Sequence, residues 1–189
     1  VLRKQGQKLS LKRADREAKE GAVIALVSDD KTKGVVVRLS CETDFVAKND
    51  DFVAFTTKVA QLALASFPAD KEALEAVSFD GTTTIGEKIL EQVGVIGEKV
   101  ELADYQKLEA AYITSYIHMG NKAGVIVGFN KSDASFEEAG KDVAMQIAAM
   151  KPVSVDEKGV SSDIIEKEIE IGKELARQEG KPEEMLEKI

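Results

Sequence analysis

Very little in this sequence can perform covalent chemistry. Its 189 residues include one histidine and one cysteine. Cys41 therefore has no partner for an internal disulfide, and any acid–base or metal mechanism must run through His118 or do without histidine. Long apolar runs are missing as well. Stretches such as Ala22–Val27 and Gly34–Val37 are far too short to cross a bilayer, and no charged-apolar-small leader precedes them. Together with the absence of a disulfide, this points to the cytoplasm. The net charge of −8 repels phosphate backbones and anionic lipid, so nucleic acid and membrane are poor partners. That charge is unevenly placed: the first 20 residues carry seven Lys or Arg against three acids, +4, which leaves −12 for the remainder. A basic leading helix on an acidic body reads either as a docking segment or as a solvated face.

Phosphate-binding and redox motifs are also lacking. Gly81-Thr82-Thr83-Thr84-Ile85-Gly86 has the opening spacing of a P-loop but continues into Glu87-Lys88, without the Lys-Ser or Lys-Thr that holds phosphate and magnesium. Gly94-Val95-Ile96-Gly97 is a lone Gly-x-x-Gly, and Cys41 lacks a Cys-x-x-Cys partner. Glu42, Asp44 and His118 could in principle form a His-carboxylate metal site for a hydrolase, though no spacing demands it. Alone, His118 can equally be a strand-end histidine.

What the sequence does contain is a duplication. Gly34-Val35-Val36-Val37 recurs as Gly124-Val125-Ile126-Val127, each suited to a buried strand. Each is followed by a helix whose apolar residues fall at helical spacing: Phe52, Phe55, Val59, Leu62 and Ala63 before Pro68, then Phe136, Ala139, Val143, Ile147 and Met150 before Pro152. The helices are offset by 84 residues and the strands by 90, so the first copy holds six extra residues within Cys41–Asp51. A scaffold that closes with the shorter connection does not need the longer one, which makes the added loop a candidate for function. On position alone the bland alternative stays open: Asp44 caps a helix and Phe45 packs on the core.

The fold class expected is α+β: two duplicated α/β subdomains with small antiparallel sheets, followed by a helical, coiled-coil hairpin. A basic linker helix over 1–21 precedes subdomains 22–80 and 81–155, and the hairpin begins at 156–189. The first helix runs roughly Leu2–Glu20 and stops at Gly21. Ala22–Val27 and Gly34–Leu39 form a hairpin turned by Ser28-Asp29-Asp30-Lys31. Thr84–Val93 reads as a helix, and strands around Lys99–Tyr105 and Ala110–His118 lead into the Gly124 strand. Ser161 or Ser162 caps a long helix with Ile164, Ile165, Ile169 and Leu175 on one side, Gly180 closes it, and Pro182-Glu183-Glu184 opens a returning arm. Val1 is not a start methionine and Ile189 falls inside an unfinished pattern, so the chain reads as a fragment. A hairpin cut through its returning arm would leave an apolar stripe open to self-association.

Cys41-Glu42-Thr43-Asp44-Phe45-Val46-Ala47-Lys48 resembles the signature of the elongation factor Ts family, guanine-nucleotide exchange factors for elongation factor Tu. It departs from the common form at Ser40 and Arg38. Val95-Ile96-Gly97-Glu98, Tyr116-Ile117-His118, Gly124-Val125-Ile126-Val127, Ile147-Ala148-Ala149-Met150-Lys151-Pro152 and Gly180-Lys181-Pro182 are similar to further landmarks of that family, in its order. The resemblance implies a non-catalytic protein with no cofactor, whose partner is elongation factor Tu. Thr43, Asp44, Phe45 and Val46 would then form the principal contact, with Asp44 and Phe45 as a wedge. His118, Met119 and Gly120 would touch another domain of the partner, and Ile96 and Gly97 would add an auxiliary contact. A metal-dependent hydrolase built on Glu42, Asp44 and His118, or a ribosome-docking scaffold using the basic first helix, are the alternatives.

Overall fold

A β-branched run bounded by a polar turn folds back on itself, and the first of two compact units, Val1–Met150, is built on that hairpin. The computed structural model describes residues 2–182. In chain order the first unit contains α1 (Leu2–Lys12), β1 (Glu20–Val27), β2 (Lys33–Cys41), the one-turn α2 (Asp44–Ala47), α3 (Asp50–Ser66), the short α4 (Lys71–Glu75), α5 (Ile85–Ile96), β3 (Glu101–Glu109), β4 (Tyr112–His118), β5 (Ala123–Phe129) and α6 (Phe136–Met150). The mixture is α+β, as expected.

β1 and β2 pair antiparallel from Glu20↔Cys41 to Val27↔Gly34. Their turn is tied locally: the Ser28 N–H donates to the Lys33 carbonyl at 2.9 Å, and the Asp30 carboxylate accepts from the hydroxyls of Ser28 and Thr32. Ala22-Val23-Ile24-Ala25 is buried as a continuous run because β1 is covered on both sides. Ala22 and Ile24 belong to the core beneath α3, where Phe52, Val59, Ala60 and Ala63 pack. On the other side the β4–β5 sheet approaches so closely that a Cβ on Gly124 would lie 2.9 Å from Val23. Each hairpin carries its own helix, α3 on β1–β2 and α6 on β4–β5. The two helices also end alike: Phe67 and Lys151 both take left-handed backbone conformations just before Pro68 and Pro152.

Four expectations need correction. The first helix ends at Lys12, not Glu20; beyond it the Lys99 ammonium bonds the carbonyls of Ala14 and Arg16 (both 3.3 Å), which are not in helix. The strand expected around Lys99–Tyr105, placed in the second subdomain and leading towards the Gly124 strand, is β3, which instead hydrogen-bonds to β2 as the third strand of the first sheet, with Leu102 and Tyr105 joining that core. The six extra residues are shared out: β2 is prolonged to Cys41, α3 starts early at Asp50, and what remains holds α2. Lastly, α6 does not bury the stripe expected of it. Val143 and Met150 are exposed, and the buried residues are Gly140 and Ala144, since Thr114 and Phe129 pack against the Gly140 backbone.

The second unit, Lys151–Ile189, contains α7 (Ser162–Gln178). Ser161 is its N-cap residue by position, without a side-chain bond. The helix closes on Gly180 at φ 74°, where the Gly180 and Lys181 N–H groups return to the carbonyls of Arg177 and Ala176. Ile164, Ile165, Ile169 and Leu175 are exposed. The returning arm of the expected hairpin falls on 183–189, outside the described residues.

α1 lies against α5 at a glycine crossing. A Cβ added to Gly6 would stand 1.8 Å from the Leu90 carbonyl oxygen, and one added to Gly94 would stand 2.9 Å from that of Leu2. Gly6→Ala should therefore lift α1 from α5 at a cost of about 1–3 kcal/mol. Thermal denaturation and cleavage of residues 2–19 by protease would register it, and an unchanged Tm with unchanged protease resistance would contradict the crossing. Cys41, fully buried at the end of β2, has its thiol pushed up to about 11, by burial first and by the charge of Glu98 second. At pH 8 it should resist a disulfide reagent in the folded chain and react at once in denaturant; fast labelling of the native protein would contradict that burial.

Candidate functional site

The loop that leaves β2 makes one turn of helix and presents an aromatic ring to solvent. Thr43 sits in extended conformation as the N-cap of α2, and its hydroxyl accepts from the Val46 N–H at 3.4 Å. The cap is thus Thr43 and not Asp44, which is the first helical residue. The Asp44 carboxylate accepts from Lys48 Nζ at 2.7 Å, one turn on, and this bond holds its pKa below the usual carboxylate range. Phe45 is 84 % exposed, so the alternative in which it packs on its own core is excluded. Below the turn Val46 is half-buried and Ala47 joins the core. A short helix of this kind has no stability of its own, and what fixes it is its base.

That base is a pair of crossed carboxylates. Glu98 Oε2 accepts from the N–H groups of Glu42 and Thr43, at 3.1 and 3.0 Å, and its Oε1 accepts from the Thr43 hydroxyl at 2.7 Å. In the reverse direction, Glu42 Oε1 accepts from the Lys99 N–H at 2.7 Å and from Arg13 at 2.6 Å. The Lys99 amide, followed by the Arg13 cation, keeps the Glu42 carboxyl below its usual range. Its stabilising contribution is complete above the ordinary carboxylate pKa and is lost as pH falls through the depressed folded value.

Ile96 and Gly97 are brought beside this loop. α5 ends at Ile96, and Gly97 reverses the chain in the left-handed region at φ 80°, a backbone that favours glycine. Phe45, Val46, Phe52, Val95 and Ile96 line one open groove of about 410 Å³. Val95 is itself 63 % exposed. Of the expected contact residues, Phe45 and Val46 therefore share this groove with Ile96, and Gly97 follows Ile96 as the cap of α5.

His118, Met119 and Gly120 stand elsewhere, at the β4–β5 reversal. His118 Nδ1 and the Tyr116 hydroxyl are 3.1 Å apart, Met119 is 79 % exposed, and Gly120 adopts φ 70°. Asn121 anchors the reversal by donating to the Val23 carbonyl at 3.3 Å. The groove lined by Phe45 includes none of these three residues. The metal-site alternative is not assembled either. Among the described residues no group of three or more His, Cys, Asp or Glu is placed to hold a metal ion, and Glu42 and Asp44 are engaged by Lys99, Arg13 and Lys48.

Sequence reasoning placed Glu98 among family landmarks and gave it no role. Its separation of more than 50 residues from Thr43 hides the contact, and the one available signal was a carboxylate directly after a helix-ending glycine.

Comparison with known proteins places the chain in a family. Residues 42–189 match the family model described as "Elongation factor TS". The chain is 52 % identical over its whole length to elongation factor Ts of Christiangramia forsetii, and 51 % identical to that of Flavobacterium psychrophilum; it covers 68 % of each. Against elongation factor Ts of Porphyromonas gingivalis the identity is 42 %, again over the whole chain and 68 % of the relative. A domain match over most of the chain and relatives of this identity lead to one conclusion: the chain belongs to the elongation factor Ts family.

Proposed function

We propose that this chain promotes release of GDP from elongation factor Tu, with Phe45 as a wedge between helices of the GTPase and Asp44 setting its orientation. The family is that of the nucleotide exchange factor of translation elongation, and exchange is not a chemical reaction: no bond is made or broken. What is required is a coupling free energy. The factor binds the nucleotide-free partner tightly, and weakens nucleotide binding by the same ratio by which nucleotide weakens its own.

The observation that carries this reading is the exposure of Phe45 on a turn anchored from below. A phenyl ring left 84 % in water is stabilised by about 2–3 kcal/mol when a partner buries it. Its rigid base means that little conformational freedom remains to be lost on docking. Helices spread by the ring would carry the magnesium and phosphate contacts out of place, so the wedge loosens a ligand it does not touch.

Two further contacts complete the reading. Ile96 and Gly97 add an auxiliary contact beside the ring, Ile96 in the groove it shares with Phe45 and Gly97 as the next residue along. His118, Met119 and Gly120 form a second, separate contact with another domain of the partner, where Met119 supplies an adaptable apolar side chain. The work is done in the cytoplasm, with neither nucleic acid nor membrane as a direct partner. No helix among the described residues is long and apolar enough to cross a membrane.

Phe45→Ala should slow the accelerated release of fluorescent GDP from elongation factor Tu by roughly 30-fold, the scale of an interface hot spot of about 2 kcal/mol. Its Tm should hold, because an exposed side chain contributes within about 0.5 kcal/mol to folding. Undiminished release by a folded Phe45→Ala chain would refute the wedge. Met119→Ala should instead weaken the complex by a few-fold while leaving the rate at saturation unchanged; a fall in the saturating rate would contradict the separate role given to the β4–β5 tip.

A further inference from the structure

The wedge stands on a helix of four residues, and such a helix takes its direction from whatever holds its first turn. Its Thr43 cap is held from outside the loop. The Glu98 carboxylate accepts from Glu42 and Thr43, the two residues preceding Asp44. The Thr43 hydroxyl donates to Glu98 and accepts from Val46, so one rotamer joins the carboxylate to the first turn of α2. Glu98 itself follows Gly97 and is half-buried, outside the apolar core.

We propose that Glu98 is the positioning residue of the exchange wedge: it fixes the Thr43 cap, and so the direction in which Phe45 leaves the surface. This inference rests on the wedge reading above. The contact is reciprocated, since Glu42 takes the N–H of Lys99, the next residue along. Loop and turn are thereby strapped in both directions, and Phe45 is kept beside Val95 and Ile96 as one surface. Removing the Glu98 carboxylate leaves the Glu42 and Thr43 N–H groups to water and frees the Thr43 hydroxyl to turn. α2 then samples other directions, and the ordering that was built into the free chain must be supplied at the moment of docking.

The test is a double-mutant cycle on GDP release from elongation factor Tu, using this chain and fluorescent GDP. Glu98→Ala should slow release about tenfold in the parent background, and by less than about twofold in the Phe45→Ala background, because Glu98 acts only through the ring. Glu98→Gln retains an acceptor for the two N–H groups and should stay within about threefold of the parent. If Glu98→Ala proves too unstable to assay, Glu98→Asp replaces it, keeping the charge but withdrawing the carboxylate by one methylene, with the same expected loss. Parental activity in Glu98→Ala or Glu98→Asp, or an equal loss in both backgrounds, would overturn the positioning role alone. A Phe45→Ala chain as fast as the parent would overturn the wedge first, and this inference with it.

Discussion

Two carboxylates crossing between the loop after β2 and the turn after α5 hold together what the chain places more than 50 residues apart. Glu98 reaches to the N–H groups of Glu42 and Thr43, and Glu42 reaches back to that of Lys99 and to Arg13. Hydrogen bonds from backbone N–H to an ionised carboxylate are among the stronger ones, and here they are directed at the residues that open a four-residue helix. Without them the one-turn helix would keep the Thr43 cap, the packing of Val46 and Ala47 on the core and the bond from the Cys41 thiol to the Thr43 carbonyl, but would lose its tie to the end of α5. With them, an exposed phenyl ring is held in a defined direction.

The scaffold around this strap is arranged to keep its two ends still. β2 is the central strand of the first sheet, flanked by β1 and β3. It delivers Cys41 into the core just before the loop begins. α5 is fixed from the other side, with Ile85, Ile89 and Val93 buried and α1 crossing at Gly6 and Gly94. The segment after α1 joins the same network through Arg13 on Glu42 and the Lys99 ammonium on the Ala14 and Arg16 carbonyls. The amino-terminal helix, the loop and the end of α5 thus meet at one polar junction beneath the ring.

Much of this was legible in the residues, and what was not has physical causes. The β1–β2 hairpin could be read because a β-branched run, a polar turn and a second run specify it locally. The duplication could be read because each copy repeats a strand and a helix in order, ended by a proline. The face of α6 could not. Its periodicity identified a helix, but close packing on Thr114 and Phe129 selected the small residues Gly140 and Ala144 over Val143. The end of α1 differs because its charged continuation has no helix-breaking residue, while in the fold that segment meets Lys99 and Glu42, far along the chain. Both failures are contacts between distant segments overriding local preference. At the site, the loop was found by its extra length, while the residue beneath it was not, since sequence separation conceals a hydrogen bond that only the fold brings about.

The central claim concerns where the ring of Phe45 goes and whether its base remains intact when it gets there. A structure of this chain bound to nucleotide-free elongation factor Tu addresses both at once. The account predicts the ring buried between two helices of the GTPase, with the Glu98 carboxylate still accepting from Glu42 and Thr43. A complex in which the ring remains in solvent, or in which α2 has left Glu98 to reach the partner, would contradict it.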